Sequence, residues 1–205
     1  MSTASPSPFG IAWFEALASS VTETPSLPRS IRVGETHAAG TDRAAVLLAV
    51  VPDADARFPR ARNGEVGLEE GYALATVVNG IVAADADAAE KRTIVTVIDV
   101  PGQAYGYVEE LVGIHQSLAA STNAFASARL AGHPVISLMV GAAISGAFLA
   151  TGLQANRLIA LDHDGIAVQV MSKQSSARIT RRSIAELDKV AQKFPATAYD
   201  GASFA

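Results

Sequence analysis

The chain has 205 residues, 49% hydrophobic and only 18% charged, with four histidines, no cysteine and a net charge of −4. That length suffices for one domain with a substantial core, and a charged share below the usual ~25% implies a surface partly covered by another subunit. The acidic balance leaves no electrostatic footprint for nucleic acid, and the lack of cysteine excludes disulfides, thiolate nucleophiles and cysteine-ligated zinc.

Residues 1–43 are rich in Ser, Pro, Thr and Ala, carry one short amphipathic piece around Trp13, Phe14 and Leu17, and read as an N-terminal arm to a domain over 44–205. No basic residue precedes Arg29 and no apolar run of signal-peptide length is present, so a cytoplasmic protein is expected. Ala45–Val51 is a buried strand stopped by Pro52. A polar loop to Gly64 follows, with Arg57, Arg60 and Arg62 close to Glu65, Glu69 and Glu70, where internal pairing competes with ligand binding. Leu68, Tyr72, Ala75, Val78 and Val82 mark one face of a helix. The strand Thr93–Asp99 runs into the glycine-containing loop Val100–Gly106. A single long helix then carries Val108, Leu111, His115, Leu118, Thr122 and Phe125 on one stripe, with Glu109 and Glu110 in its first turn, Arg129 in its last and Gly132 as its stop.

The second glycine loop, Gly141–Phe148, follows the strand Val135–Val140. No charge falls between Pro134 and Asn156, a length that could span a bilayer. The stretch divides into a β-branched half and a small-residue half, which predicts a buried strand, a turn and a buried helix, and no membrane association. Strands at Arg157–Leu161 and Ile166–Met171 follow, and Ser183 with Glu186 forms a capping box ahead of Ile184, Leu187, Val190 and Phe194. Recurring strand-plus-helix units of this kind predict an α/β fold.

Two apolar strands that each enter a glycine-rich loop opening a helix form the chain's main chemical feature. Small residues there let a ligand approach the backbone, and the first N–H groups of a helix have no acceptor of their own. Such groups can hold a developing oxyanion. Gly141 and Gly146 have phosphate-loop spacing, but Ala147 and Phe148 stand where Lys and Ser/Thr are needed. Ala143-Ile144-Ser145-Gly146-Ala147 is similar to a nucleophile elbow. The one histidine downstream, His163, is flanked by Asp162 and Asp164, whose side chains point away from it, so Ser145 reads as non-nucleophilic. The four histidines show no metal-ligand spacing, and no metal is expected. His115 reads as a hydrogen-bonded core residue and His163 as solvated. Tyr105, inside the first loop, is a candidate packing wall or proton donor. Lys173, Arg178, Arg181 and Arg182 form either a solvated face or a contact for phosphates or an acidic carrier.

Residues 57–71, Asp99–Gly106, Ala131-Gly132-His133-Pro134, Ser145–Ala150, Gln154–Leu161, Ala177–Thr180 and Ala198-Tyr199-Asp200 resemble signature stretches of the gamma subunit of biotin-independent malonate decarboxylase. That family is similar to carboxyltransferase subunits of acetyl-CoA carboxylase. The resemblance implies a crotonase (ClpP-like) spiral of repeated strand-strand-helix units, a homologous beta subunit as partner and an active site between the two. It also implies a malonyl thioester carried by the prosthetic group of an acyl carrier protein, with no cofactor bound directly. Gly102 stands where many relatives carry serine and Gln169 where they carry histidine, and the family pattern runs on past Ala205. On this reading the donors are the N–H groups of Gly102 and Gln103, and of Gly146 and Ala147, and Tyr105, Ser145, Lys173 and Arg178 contact substrate or carrier. One donor pair orients the departing carboxylate while the beta subunit holds the thioester oxygen. Two alternatives stand beside it: a Clp-type serine peptidase with Ser145 as nucleophile, and a non-catalytic scaffold subunit.

Overall fold

The computed structural model describes residues 9–37, 40–163, 165–169 and 173–194, the side chains of the last stretch from Ser176 onward. Helix α1 (Phe9–Leu17) and strands β1 (Ser20–Val21), β2 (Ile31–His37) and β3 (Ala44–Val50) open the fold. Helix α2 (Leu68–Ala84), β4 (Thr93–Val100), α3 (Tyr107–Leu111), α4 (Ile114–Leu130), β5 (Val135–Ile144) and α5 (Ser145–Thr151) follow. Strands β6 (Arg157–Ala160) and β7 (Ala167–Gln169) and helices α6 (Lys173–Thr180) and α7 (Ile184–Lys193) complete the described elements.

The strands form one sheet in the order β1-β2-β3-β4-β5-β6, with β7 also paired to β5. The two junctions before β3 are antiparallel, and every pairing from β3 onward is parallel. Parallel strands need crossovers and are covered on both faces, which is why β3 and β4 are almost continuously apolar and buried. On one face Phe14 of α1 packs with Leu47, Ala49, Val51, Val97 and Val140. On the other, Val78 of α2 and Phe125 of α4 close over Val46, Leu48, Ile94 and Val135. Thus residues 9–37, inside the stretch expected as an arm, supply two strand pairings and a fully buried core phenylalanine.

Three expectations are corrected. The long helix is two helices, because Gly113 adopts φ +92° between α3 and α4. Its first half does not pack: Val108 and Leu111 are exposed, as is His115. The buried histidine is instead His133, whose Nδ1 lies 2.9 Å from the Arg92 carbonyl oxygen. Finally, β5 does not stop at Val140 but continues to Ile144, so Gly141 lies within a strand. The register between β4 and β5 shifts between Ile98 and Val100, where β5 contributes two extra residues. The buried Asp99 sits in this bulge, its Oδ1 accepting from Ala142 N–H (3.0 Å) and its Oδ2 from Gly10 N–H (2.9 Å). A side chain at Gly141 would overlap that carboxylate. The uncharged stretch from Pro134 folds as β5, a turn and α5, and no helix among the described residues is long and apolar enough to cross a membrane.

Candidate active site

The two turns come together at the carboxyl ends of neighbouring parallel strands, β4 and β5. In the first, Gly102 has φ +149°, a backbone open essentially to glycine alone. A side chain there would meet only Glu65 Oε1, 3.9 Å away. The loop is pinned from outside: Val66 N–H donates to the Gly102 carbonyl (3.0 Å), and the Val66 carbonyl accepts from Ala104 N–H (2.8 Å).

Two ion contacts brace the same segment. Arg60 grips the buried Glu65, with Nε 2.8 Å from Oε2, and the pair raises the Arg60 pKa above its ordinary value. The Arg60 guanidinium also lies over the Tyr105 ring, 4.3 Å from its centre. Tyr105 is half exposed, so its ring forms a wall of the loop and not part of the core. Glu70 Oε2 accepts from Gly67 N–H (3.0 Å) and Oε1 from Ser30 Oγ (2.7 Å), and burial pushes the Glu70 carboxyl up. Internal pairing therefore uses Arg60, while Arg57 reaches Glu69 only at 3.9 Å in a solvent-exposed contact.

The second turn is tighter. Ile144 is extended, Ser145 takes φ +60°, and α5 begins at once. The positive φ falls on Ser145, not on Gly146. Holding a non-glycine residue there costs about 1–3 kcal/mol that the surrounding structure offsets. The Gln103 carboxamide bridges the turns: its Oε1 accepts from Ser145 Oγ–H and from Gly146 N–H, each at 2.8 Å. The amide orientation follows from chemistry, because the Gly146 N–H can only donate and so must face oxygen. Ala147 follows in the first turn of α5, where the helix provides no acceptor. The structure thus brings Gly102, Gln103, Gly146, Ala147, Ser145 and Tyr105 to one end of the sheet. The Gly146 donor already holds an oxygen atom.

Arg178 stands exposed in the last turn of α6, with Arg181 and Arg182 exposed after it, and the side chain of Lys173 lies outside the described residues. No described contact links this cluster to the two turns. The Ser145 hydroxyl has no histidine partner among the described residues. His133 bonds to the Arg92 carbonyl, the His163 ring accepts from Gly165 N–H, and His37 and His115 are exposed. Gln169, on β7, pairs in register with Ile144. The Gln103 side chain is the feature that sequence reasoning missed. Its signal was a polar residue directly after the loop glycine.

Beside the first loop lies an apolar groove of 860 Å³ between α2, α3 and the segment before β2, lined by Leu27, Phe58, Leu68, Tyr72, Val108 and Val112 among others. None of its lining residues comes from either turn. Tyr107, Val108, Leu111 and Val112 expose 84%, 56%, 73% and 57% of their surface, an unusual concentration for one short helix and its end.

The family model for the malonate decarboxylase gamma subunit matches residues 61–205. A malonyl-S-ACP:biotin-protein carboxyltransferase of Malonomonas rubra is 40% identical over 142 residues, 68% of this chain and 49% of that protein; the chain spans about half of that relative's length. A chain in the crystal structure of a Pseudomonas malonate decarboxylase hetero-tetramer in complex with coenzyme A superposes with TM-score 0.89 at 52% identity, covering 97% of this chain and 74% of that one. The Pseudomonas MdcD-MdcE hetero-dimer gives TM-score 0.86 at 52% identity, covering 98% and 76%. Transcarboxylase 12S, at 16% identity and TM-score 0.68, covers 94% of this chain and 36% of that one, and shares the crotonase-type α/β fold.

Proposed function

Since the chain belongs to the malonate decarboxylase gamma subunit family, we propose that it is one subunit of an enzyme that decarboxylates malonyl held as a thioester on an acyl carrier protein. The bond between the malonyl α-carbon and its carboxylate breaks, and carbon dioxide leaves. The electron pair forms an enolate on the thioester, which takes a proton at the α-carbon to give acetyl. Charge moves from carboxylate to thioester oxygen, so donors fixed beforehand around the thioester oxygen lower the barrier, while donors at the carboxylate act by holding it in the orientation from which it leaves. In enzymes that use them, losing one such donor costs about 2.7–4 kcal/mol.

The observation that carries this reading is the Gly146 N–H, which with the Ser145 hydroxyl holds an oxygen atom at 2.8 Å. Gly102, Gln103 and Ala147 are the companion donors, and Tyr105 walls the first loop. One donor pair orients the leaving carboxylate, while a homologous partner subunit holds the thioester oxygen. The apolar face of α3, beside the first loop, is where that subunit docks. In support stand the low charged fraction of the chain and the hetero-oligomeric state of its Pseudomonas relatives. Arg178 with Lys173 contacts the acidic carrier and acts on its docking.

The Malonomonas rubra relative supports a second reading, transfer of the carboxyl group to a biotin-protein acceptor. The same enolate forms in both, and only the fate of the carbon dioxide differs. Reconstitution separates these two readings from each other, Ser145→Ala in the complex separates them from the peptidase reading, and Gly146→Val from the scaffold reading. The chain alone is expected to leave malonyl-S-carrier intact, and the complex with its homologous partner to release carbon dioxide without biotin. Release that requires a biotinylated acceptor selects carboxyl transfer. In the same complex Ser145→Ala, which removes one neutral hydroxyl and leaves the Gly146 N–H in place, keeps turnover within about tenfold of the parent. A drop approaching the ~10⁶-fold loss seen when a catalytic serine is removed would restore the peptidase reading.

A further inference from the structure

Resting on the reading of Gly146 as a substrate donor, we propose that the Gln103 carboxamide holds the substrate oxygen's place and must be displaced for substrate to bind. Its Oε1 sits 2.8 Å from both Gly146 N and Ser145 Oγ, inside the 2.7–3.1 Å spacing expected between a donor and the oxyanion it serves. A neutral amide oxygen in that position is a mimic of the ligand, and no substrate oxygen can reach the Gly146 N–H while it remains.

The surroundings suit a side chain that leaves without its backbone. Residues 102–104 are pinned on both sides of Gln103 by the two hydrogen bonds to Val66. The Gln103 side chain itself is only half-buried and touches the turn through its terminal oxygen. Rotation about its side-chain bonds therefore empties the donors while the Gly102 and Gln103 N–H groups stay in place. The exchange favours the substrate for a simple reason. A carboxylate or developing enolate oxygen forms charge-assisted hydrogen bonds roughly twice as strong as those of a neutral amide. Once carbon dioxide has left and the enolate is protonated, no charged oxygen competes and the carboxamide returns. Gln103 thus lowers the affinity of every ligand that uses these donors by one common factor, the fraction of time the donors stand free.

The assembled complex tests this through the inhibition constant of free malonate, an equilibrium quantity, measured beside the KM for malonyl-S-carrier. Gln103→Ala is expected to lower both by about fivefold, the scale of losing a competing pair of neutral hydrogen bonds. Gln103→Glu, whose charged oxygen bonds the donors more tightly and repels the malonyl carboxylate, is expected to raise both by roughly tenfold or more. Where Gln103→Ala fails to assemble, Gln103→Met, of similar length and without a carbonyl, reads the same constants. An unchanged or raised malonate constant in the shortened variant overturns the proposal, since the carboxamide would then be a strut or a substrate contact. Gly146→Val in the same complex keeps the two failures apart. An inactive Gly146→Val with an unmoved constant in Gln103→Ala overturns only the proposal about Gln103. A fully active Gly146→Val overturns the donor reading beneath it.

Discussion

The two turns at the end of the sheet look alike in sequence, yet they are held by opposite means. The first is braced from outside, by Val66, the Arg60–Glu65 pair and the Glu70 carboxylate, around a glycine whose φ of +149° no other residue adopts readily. The second rests on its own backbone, an extended strand end and a serine forced to φ +60° beside the Asp99 bulge, with the Gln103 carboxamide reaching across from the first turn. Glycine accordingly does three different jobs. At Gly102 it permits a conformation, at Gly141 it leaves space for the Asp99 carboxylate, and at Gly146 it leaves room for the Gln103 carboxamide oxygen. Similar composition can therefore hide different constraints, and substitutions separate them.

The largest stability loss is expected at Gly141, where space is the constraint. Gly141→Ala drives a methyl into the Asp99 carboxylate and costs about 3–5 kcal/mol, from overpacking and from the weakened bonds to Ala142 and Gly10. Chemical denaturation reads it directly, and a cost below about 1 kcal/mol would mean the bulge can open. Gly102→Ala comes next, at about 1–3 kcal/mol, because conformation is the only obstacle and the space is free. If the order of these two variants reverses, the division between space and conformation is wrong.

The smallest effect is a pH slope in the brace of the first loop. Burial raises the Glu70 pKa in the folded state above its unfolded value, so the folded protein binds more protons across that window. Stability therefore falls as pH rises from the ordinary glutamate range through the raised value. Glu70→Gln, which can still accept from Gly67, should flatten that part of the profile of denaturation midpoint against pH. An identical slope in the variant would place the titrating group elsewhere.

Much of this frame is legible in sequence because local signals agree with tertiary structure. β4 and α2 begin and end near their periodic runs, and the Ser183–Glu186 capping box forms with both reciprocal bonds. Legibility fails where a residue's neighbour comes from far along the chain. The stripe from Val108 to Phe125 reads as one helix, and only the left-handed backbone at Gly113 separates α3 from α4. Gly141 to Ala143 read as loop because they are small, although they are small to admit Asp99 and pair with β7. His115 lies on an apolar stripe whose first half is exposed, so the periodicity is real while the burial is not. The glycine-rich turn at Gly146 was legible, but the oxygen seated on its N–H was not, because Gln103 reaches across from 43 residues away in sequence.

The decarboxylation rate of the assembled complex carrying Gly146→Val, at saturating malonyl-S-carrier, bears most directly on the central claim that this backbone N–H serves the reacting oxygens. The first atom added at Gly146 would stand 2.8 Å from Gln103 Oε1, so the valine covers the donor at the point where oxygen binds. With thermal stability and subunit stoichiometry preserved, the rate constant should fall by about 10²–10³, the loss typical of one oxyanion donor. A variant that folds, assembles and decarboxylates at the parent rate would contradict the claim and leave the second turn a packing feature.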